Sequence, residues 1–516
     1  MSLWERIKET VWPAASTLGT SPEEIALACA DIGRTPERPV MKRYAAARVD
    51  RLSSGWTVQN LSSDAVLRFQ LQALRARSRQ LAEDNDYAKK FLDMVVGNVA
   101  GPNGIKMQMK AKNPDGNPDK WANQIIETAW ASWSQKGVCD VTGSLSWRDA
   151  QRLFIRTVAM DGECLVRKVR GFDNAYGFAI QFMEADYLSE LLQQDLGSRG
   201  EVRMGVEMDS WGRPTAYHLF QKNPTDYPYG QTVTSYERIS ANDIIHGFIK
   251  LRPSQSRGVP WMHSAMTRLN MLGGYEEAEV VAARVAASKM GFFTSSSGDE
   301  YVGDDVDDNG NIITEAEPGI FEKLPHGFDF KEFNPQHPVG NFGPFMKTAL
   351  RGIASGLNVS YNSLASDLES VNYSSIRAGT LDERDYWQML QGWMIDAFCQ
   401  PIFADWLYQQ IATNKLNLPL AKFDKFNAAK WLPRGWKWVD PLKDIEANIL
   451  GIRSGIQTRA DTVGQGGEDL EEIFSQLKAE EDLAKKYGLE FDTSVKGTAL
   501  ADSKPGNTPA INNPQD

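Results

Sequence analysis

The strongest constraint on the fold is a helical pattern from about Ser374 to Ala412, "SSIRAGTLDERDYWQMLQGWMIDAFCQPIFADWLYQQIA". Apolar residues recur in it at the helical period, which predicts one long helix with a buried face. They are Leu381, Tyr386, Met389, Trp393, Ala397, Phe398, Phe403 and Leu407. Pro401 lies inside the pattern. Because a proline lacks a backbone donor and clashes with the preceding turn, we expect a kink there.

The chain before this helix changes from a helical to a strand-like pattern. Residues 21–110 are mostly helical, and "SRQLAEDNDYAKKFLDMVVGNVAG" favours a packing helix over an interaction helix. From about 155 to 250, short apolar or alternating runs are divided by Gly, Pro, Asp and Asn, which is typical of strands. "DSWGRP" predicts a turn between two of them. The predicted fold class is therefore α+β.

Two further helices are predicted at 261–290 and 341–359, the second with Pro344 in its first turn. The insert between them is rich in glycine and proline around short apolar patches, which indicates a small β-rich module. Residues 438–489 predict two or three short helices. The polar tail over 491–516 is rich in Pro and Asn and is predicted to be disordered.

The composition narrows the class of protein. A hydrophobic fraction of 42% in 516 residues supports sizeable packed cores. The N-terminus has no apolar signal region, and the longest apolar stretch (280–293) contains Arg284 and Lys289, so neither a signal peptide nor a membrane span is expected. The four cysteines show no CxxC pair, which favours reduced thiols in a cytosolic protein: Cys29, Cys139, Cys164 and Cys399.

The acidic stretch "DVDDNGNIITEA" partly matches a calcium-binding loop. Asp305, Asp307, Asn309 and Gly310 occupy its first, third, fifth and sixth positions, but Ala316 stands where the bidentate glutamate is required. We therefore favour an acidic turn of a β-hairpin and leave cation binding by this turn open. The five histidines show no metal-ligand spacing and no phosphate-binding loop occurs, so no cofactor is predicted.

The loop before the long helix, "ASDLESVNYSSIRAG" at 365–379, carries serines that raise the question of a nucleophile. No GxSxG or SxxK arrangement surrounds Ser374 or Ser375, so no catalytic residue is predicted. Hydroxyl or amide side chains directly before a helix commonly cap it, and Asn372 or Ser374 is the expected cap. "KWLPRGWKW" at 430–438 could stack on bases, but a packed corner is favoured.

Six stretches of the chain form an ordered set that spans roughly residues 65 to 480. They are "LRARSRQLAEDNDYAKKFLDMVVGNVAGPNG", "VAMDGECLVRKV", "QFMEADYL", "GVEMDSWGRPTAYHL", "RPSQSRGVPWMHSAMTRL" and "GLNVSYNSLASDLESVNYSSIRAG". Together, and in this order, they resemble the lambda-type phage portal proteins. Asn358 stands where that family often has Gly, and Leu368 where an aromatic residue is common.

The resemblance implies a self-assembled ring, typically dodecameric, at one vertex of the capsid. Double-stranded DNA would enter through the ring during packaging by a separate large terminase and leave through it at infection. Major capsid and scaffold proteins, and later a head-completion or adaptor protein, would dock on it. The ring would be assembled in the host cytoplasm and remain in the virion.

The family architecture also implies a division of the chain. The expected parts are a wing (1–260), a stem helix (261–290), a clip (291–340), a second stem helix (341–359), a tunnel loop (360–373), a kinked wing helix and return (374–437), a helical crown (438–490) and a tail (491–516). The long helix could also supply side surfaces for the ring, although packing within one chain is the competing interpretation.

The loop before the long helix is the expected point of contact with DNA. The part that faces DNA would be Ser366, Asp367, Leu368, Glu369 and Ser370. The hinge and cap behind it would be Asn372, Tyr373, Ser374, Ser375 and Arg377. A net charge of −11 suits a conduit, since a strongly basic lining would bind phosphates and stop sliding. The alternatives are a DNA-packaging nuclease or ATPase, or a structural adaptor unrelated to phage.

Overall fold

The computed structural model describes residues 60–226, 235–287, 291–295, 305–306, 312–313, 328–332, 342–369, 373–436, 441–465 and 469–489. The structural description concerns the compact unit that begins at Ser62. It mixes helices and sheets, as the α+β prediction requires.

The helices are numbered in chain order. They are α1 (Ser63–Asp84), α2 (Asp86–Val99), α3 (Lys120–Trp133), α4 (Trp147–Asp161), α5 (Met266–Ala287), α6 (Phe342–Leu357), α7 (Tyr361–Ala365), α8 (Tyr373–Met394), α9 (Gln400–Ala412), α10 (Phe423–Phe426), α11 (Pro441–Arg453), α12 (Arg459–Gln465) and α13 (Leu470–Tyr487). A π-helical turn, Ile395–Cys399, joins α8 to α9.

The strands are short and mostly antiparallel. They are β1 (Lys106–Met109), β2 (Glu163–Arg170), β3 (Phe178–Met183), β4 (Gln194–Asp195), β5 (Glu201–Arg203), β6 (Val206–Met208), β7 (Pro214–Phe220), β8 (Tyr236–Ser240), β9 (Ile244–Phe248), β10 (Gly291–Ser295), β11 (Asp305–Val306), β12 (Ile312–Ile313), β13 (Phe328–Glu332) and β14 (Ala429–Leu432).

The helical region near the N-terminus is divided where a cap interrupts it. Asn85 has an extended backbone, and its side chain accepts the N–H of Ala88 at 3.0 Å, which starts α2. The N–H of Asn85 donates to the carbonyl oxygen of Leu81, which satisfies the end of α1. A polar cap inside an otherwise helical pattern therefore produces two helices rather than one.

The strand-rich region forms two sheets of different character. A three-stranded sheet has the order β3-β2-β9, and a five-stranded meander runs in chain order from β4 to β8. The predicted "DSWGRP" turn joins β6 to β7, where one carboxylate oxygen of Asp209 accepts the N–H groups of Trp211 and Arg213 at 2.9 Å each. Side-chain acceptance by an Asp is the ordinary way to stabilise such a turn.

Helices α5 and α6 pack antiparallel. Ser264, just before α5, donates to the carbonyl oxygen of Gly356 near the end of α6 at 2.7 Å. Tyr275, midway along α5, stacks on Phe342 at the beginning of α6 with ring centroids 5.8 Å apart. The sequence predicted that the first of these helices begins at Trp261, but the chain forms turns up to Ala265.

The insert between these helices contains two paired strand sets. β10 pairs antiparallel with β13, and β11 pairs with β12 through Asp305 opposite Ile313. The hairpin predicted around the acidic stretch is therefore present on both sides of the turn. Residues 307–311, which contain Asp307, Asn309 and Gly310, lie outside the described residues.

The aromatic residues of the long helix pack inside the same chain. Trp130 of α3 makes edge contacts with Trp147, Phe403 and Trp406, with ring centroids 5.1 to 5.3 Å apart. Trp406 is fully buried, and Trp387 is only 2% exposed. Trp387, Phe403 and Trp406 therefore follow the competing interpretation, packing within one chain. Leu381, Met389 and Tyr408 of the same pattern are exposed, and a side surface for a ring stays a prediction.

A buried carboxylate lies where several segments of the chain meet. Oε1 of Glu163, the first residue of β2, accepts Arg257 Nη2 at 2.5 Å and Arg75 Nη2 at 2.8 Å. Its Oε2 accepts His246 Nε2 and the N–H of Gly258, both at 2.9 Å. Arg75 belongs to α1, His246 to β9, and Arg257 and Gly258 to the loop before α5. One side chain of β2 therefore joins α1, β9 and that loop.

The arginine partners of Glu163 also donate hydrogen bonds to other groups. Arg257 also donates to the carbonyl oxygens of Leu188 and Met204, and Arg75 to the carboxylate of Glu190 at 2.6 Å. Next to them, Arg79 makes a two-bond contact with the carboxylate of Asp161. Buried charges are tolerated when they are paired and hydrogen-bonded, and the carboxylate of Glu163 meets that condition, although Nε of Arg75 is buried without a hydrogen bond.

The protonation states follow from the same contacts. Burial by itself would raise the pKa of Glu163, but Arg257, Arg75 and the hydrogen bond from His246 hold that pKa well below its ordinary value. Burial lowers the pKa of His246, so its imidazole is neutral and donates to the ionised carboxylate.

Two glycines allow the backbones of these segments to touch. Gly162 ends α4 in the left-handed conformation, with φ of 89°, and a Cβ there would lie 2.3 Å from the carbonyl carbon of Val259. A Cβ on Gly258 would lie 2.0 Å from the carbonyl oxygen of Gly162. No other residue fits at either position without separating the two segments.

We expect Glu163→Gln to lower the free energy of unfolding by about 3–5 kcal/mol, because it leaves buried guanidinium groups without their charge partner. Denaturant titration followed by circular dichroism measures the change. The control is Glu237→Gln, which removes the half-exposed partner of Arg167 and is expected to cost less than about 1 kcal/mol. Equal effects of the two substitutions would contradict the central place of the cluster.

Candidate functional site

The turn between α6 and α8 contains two left-handed residues and one short helix. Asn358 follows the last residue of α6 with φ of 56°, and Ser366 ends α7 with φ of 54°. Ser360 caps α7 by accepting the N–H of Ser363 at 3.2 Å. Asparagine tolerates the left-handed region better than most residues, which explains why Asn358 fits a position where glycine is also suited.

Asp367 is held on three sides. Its Oδ2 accepts the hydroxyl of Tyr361 at 2.7 Å and lies 3.3 Å from Nζ of Lys347 on α6. Its Oδ1 accepts the N–H of Glu369 at 2.9 Å, which closes a tight side-chain-to-backbone turn. The loop is therefore folded onto α6 by its own first carboxylate.

Glu369 completes the contact with α6. Its Oε2 lies 3.0 Å from Nζ of Lys347, so one ammonium group bridges the two carboxylates of the loop. Leu368 stands between them in sequence and is 67% exposed. In this structure both acids of the loop contact α6 and Leu368 lies in solvent, and the predicted contact of the loop with DNA stays a prediction.

The pKa values follow this arrangement. The hydroxyl of Tyr361, the N–H of Glu369 and Lys347 lower the pKa of Asp367. Hydrogen bonds to Glu369 and Asp367 raise the pKa of Lys347. Burial, together with the bond to Asp367, raises the pKa of Tyr361, so its hydroxyl remains a donor. All three groups keep their ordinary charge states at neutral pH.

The predicted hinge residues lie at the start of α8. Tyr373 is its first residue, and Ser374, Ser375 and Arg377 fall within its first two turns. Ser374 is thus one residue inside the helix, past the position of an N-terminal cap. Ser370 and Asn372 lie outside the described residues, so the capping role of Asn372 stays a prediction.

The long helix is interrupted just before Pro401. The π-helical turn over Ile395–Cys399 ends there, and the N–H of Gln400 donates to the carbonyl oxygen of Ile395, five residues back. Pro401 lies in the first turn of α9. A proline cannot donate to the preceding turn, and π turns are common where helical bonding is disturbed. The kink itself stays a prediction.

The basic and aromatic segment at 430–438 packs against the body of the protein. Trp431 Nε1 donates to the side chain of Gln400 at 2.7 Å, and Trp436 Nε1 to that of Asn98 at 3.1 Å. Arg434 lies over the Trp436 ring and donates to the carbonyl oxygen of Gly97. The favoured interpretation, a packed corner, describes these contacts, while Lys437 and Trp438 lie outside the described residues.

The described part of the chain contains no group of three or more His, Cys, Asp and Glu side chains placed to hold a metal ion. His218 contacts Glu207, and His263 contacts the carbonyl oxygen of Pro260. His326 and His337 lie outside the described residues. In the same described part, no helix is long and apolar enough to cross a membrane.

Sequence reasoning missed the residues that hold the loop. Lys347 lies on α6, 20 residues before Asp367 in the sequence, and no spacing rule connects the two residues. Tyr361 could have been noticed as the only tyrosine in the turn before the loop, but its bond to Asp367 depends on how α7 is oriented. Both contacts can be recognised only once the positions of α6 and α7 in the folded chain are known.

The chain matches the family model "Phage portal protein, lambda family" over residues 49–391. It is 37% identical over 461 residues to the protein named "Probable portal protein" of Halomonas phage phiHAP-1, covering 88% of this chain and 89% of that protein. It is 22% identical to "Portal protein B" of Escherichia phage lambda and to the portal protein of Escherichia phage N15, with 84% of this chain and 88% of each relative covered.

These matches show that the chain belongs to the lambda family of phage portal proteins, a structural component of the virion capsid. Among solved structures, it resembles a chain in the neck of an empty GTA particle with a TM-score of 0.39 and 12% identity, covering 76% of this chain and 92% of that one. A chain from the virion of a native gene transfer agent gives a TM-score of 0.37 with 11% identity, and the match covers 75% of this chain and 89% of that one.

We expect Asn358→Gly to keep the free energy of unfolding within about 0.5 kcal/mol of the natural protein, because glycine adopts positive φ freely. Asn358→Val is expected to lower it by about 1–3 kcal/mol, because a β-branched side chain is strained in that conformation. Thermal and denaturant unfolding compare the two variants. Equal stability of both would show that the left-handed conformation at this residue is not required.

Proposed function

We propose that this chain assembles with copies of itself into a ring, a dodecamer as is typical of the family, at one vertex of the capsid. Double-stranded DNA passes through the ring during packaging and ejection. The observation that carries the proposal is the family match over residues 49–391, which contains α5, α6, the loop and most of α8. The names wing, stem, clip, tunnel loop and crown are proposed for the divisions given above.

The antiparallel packing of α5 and α6 supports the stem and clip. The two helices are joined through the β10–β13 pair, so the chain leaves the body along one helix and returns along the other. The loop Ser366–Glu369 follows the returning helix after the short helix α7. A loop at this place, held by the body and exposed at Leu368, is suited to face a channel.

The partners are proposed from the same family membership. We infer that the large terminase, the major capsid and scaffold proteins and a head-completion or adaptor protein dock on the ring, and that assembly takes place in the host cytoplasm. A net charge of −11 on each copy supports the role of a conduit, since the wall would not hold phosphates tightly. A separate motor would supply the energy for DNA movement.

Native mass spectrometry and negative-stain microscopy of the purified chain test the ring. We expect a closed ring of about twelve subunits, because a heterologous interface that closes on itself gives a fixed subunit number. A chain that stays monomeric under all assembly conditions, or that hydrolyses ATP by itself, would contradict the proposal.

Deletion of residues 366–370 tests the loop. We expect ring assembly and thermal stability to remain close to those of the natural protein, because Leu368 and Glu369 are exposed and outside the core. Packaged DNA, measured as the length and amount retained in particles, is expected to fall.

The matched control replaces the same residues with a Gly-Ser segment of equal length, which keeps the connection between α7 and α8. Loss of DNA in both variants, with intact rings, supports the proposed role. Normal packaging in both would refute it, and failure of only the deletion would show that the loop is a spacer.

A further inference from the structure

Lys347 is the one described residue of α6 whose side chain pairs with the loop's acids. Its Nζ lies 3.3 Å from Asp367 and 3.0 Å from Glu369, and the lysine side chain is 38% exposed. A single ammonium group therefore faces two carboxylates that are two residues apart. These three side chains together carry a net charge of −1 when closed, and the cation among them stands on the helix rather than on the loop.

The two carboxylates are not held equally. Asp367 has the additional hydroxyl bond from Tyr361, whose ring lies under the guanidinium of Arg351 at 5.5 Å, and it is largely covered. Glu369 is 77% exposed in its side chain. Exposed ion pairs are weak and screened by salt, so the contact with Glu369 opens before the contact with Asp367.

We propose that Lys347, Asp367 and Glu369 form an electrostatic latch that holds the loop against α6 and that a passing phosphate backbone releases. The inference rests on the proposed function of the chain as a DNA conduit. When closed, the latch neutralises one of the two acids, and the loop presents Leu368 to its surroundings. A phosphate near Lys347 competes with both carboxylates for the same ammonium group.

Release of the loop acids from Lys347 changes the local charge next to DNA. Once Lys347 turns to a phosphate, Asp367 and Glu369 are no longer compensated, and two negative charges stand beside DNA. Like charges repel, so the phosphate that opened the latch is pushed onward and the contact does not persist. The latch thus gives a short-lived contact with DNA, which suits sliding better than a fixed cation would.

Lys347 is a positioning residue in this device, and its test reads the chemical reactivity of the loop acids. Assembled rings of the full chain are treated with a carbodiimide and glycine ethyl ester, which together convert accessible, unpaired carboxylates to amides. Mass spectrometry then measures labelling of Asp367 and Glu369 relative to the exposed Glu83. The reagents are small enough to enter a channel.

In the natural protein, labelling of Glu369 is expected to rise about two- to fivefold between about 0.1 M and about 1 M sodium chloride, since screening removes a weak ion pair. In Lys347→Met it is expected to be high already at low salt and to change little. Lys347→Arg should restore the salt dependence. The control Lys478→Met removes an exposed lysine on α13 and should behave like the natural protein.

A second arm adds short double-stranded DNA at low salt. Labelling of both acids is expected to rise in the natural protein and not in Lys347→Met. Identical labelling of the natural protein and Lys347→Met at all salt concentrations overturns the latch. A response to salt without a response to DNA overturns release by phosphate. Because this arm needs assembled rings but no packaging, its failure in intact rings is separate from a failure of DNA retention, and rings that do not form contradict the proposed function before the latch is tested.

Discussion

The buried carboxylate of Glu163 is the interaction on which the rest of the structure depends. It is fully enclosed, and a lone charge there would be severely unfavourable, so Arg257, Arg75 and His246 must all reach it at once. This condition joins α1, β2, β9 and the loop before α5. Because Gly162 and Gly258 bring two backbones into contact beside it, the direction in which α5 leaves the body is set at the same point.

This cluster also explains why separate sequence motifs occur together. "LRARSRQ" contributes Arg75 and Arg79, "AMDGECL" contributes Asp161 and Glu163, and "SQSRGVP" contributes Arg257. From this centre, α5 runs out and α6 returns to the body, where α7 and the loop follow. The body is held at this centre by buried, paired charges, whereas the loop is held by more exposed ones. That contrast is suited to a firm support that carries a contact which opens easily.

The sequence predicted much of the fold because the relevant signals are local. Apolar periodicity predicted the long helix to within a residue at its start, and glycine, proline and aspartate marked the turns of the strand region. Local signals failed where a helix cap or a tertiary contact determines where a helix ends or which side chains are buried. Asn85 divided a helix, α5 begins at Met266 rather than at Trp261, and Trp406 of the long helix packs inside the chain.

By itself, the sequence determined the α+β class, the order of the elements and membership of the portal family, since these depend on periodicity and on ordered motifs. It also predicted a loop around Leu368 before the long helix, and the contact of that loop with DNA stays a prediction. Only the tertiary structure decided that Glu163 is the centre of a charge cluster and that Lys347 and Tyr361 hold the loop acids. The reason is physical. Ion pairs between residues far apart in the chain depend on how helices are placed, and no local pattern contains that information.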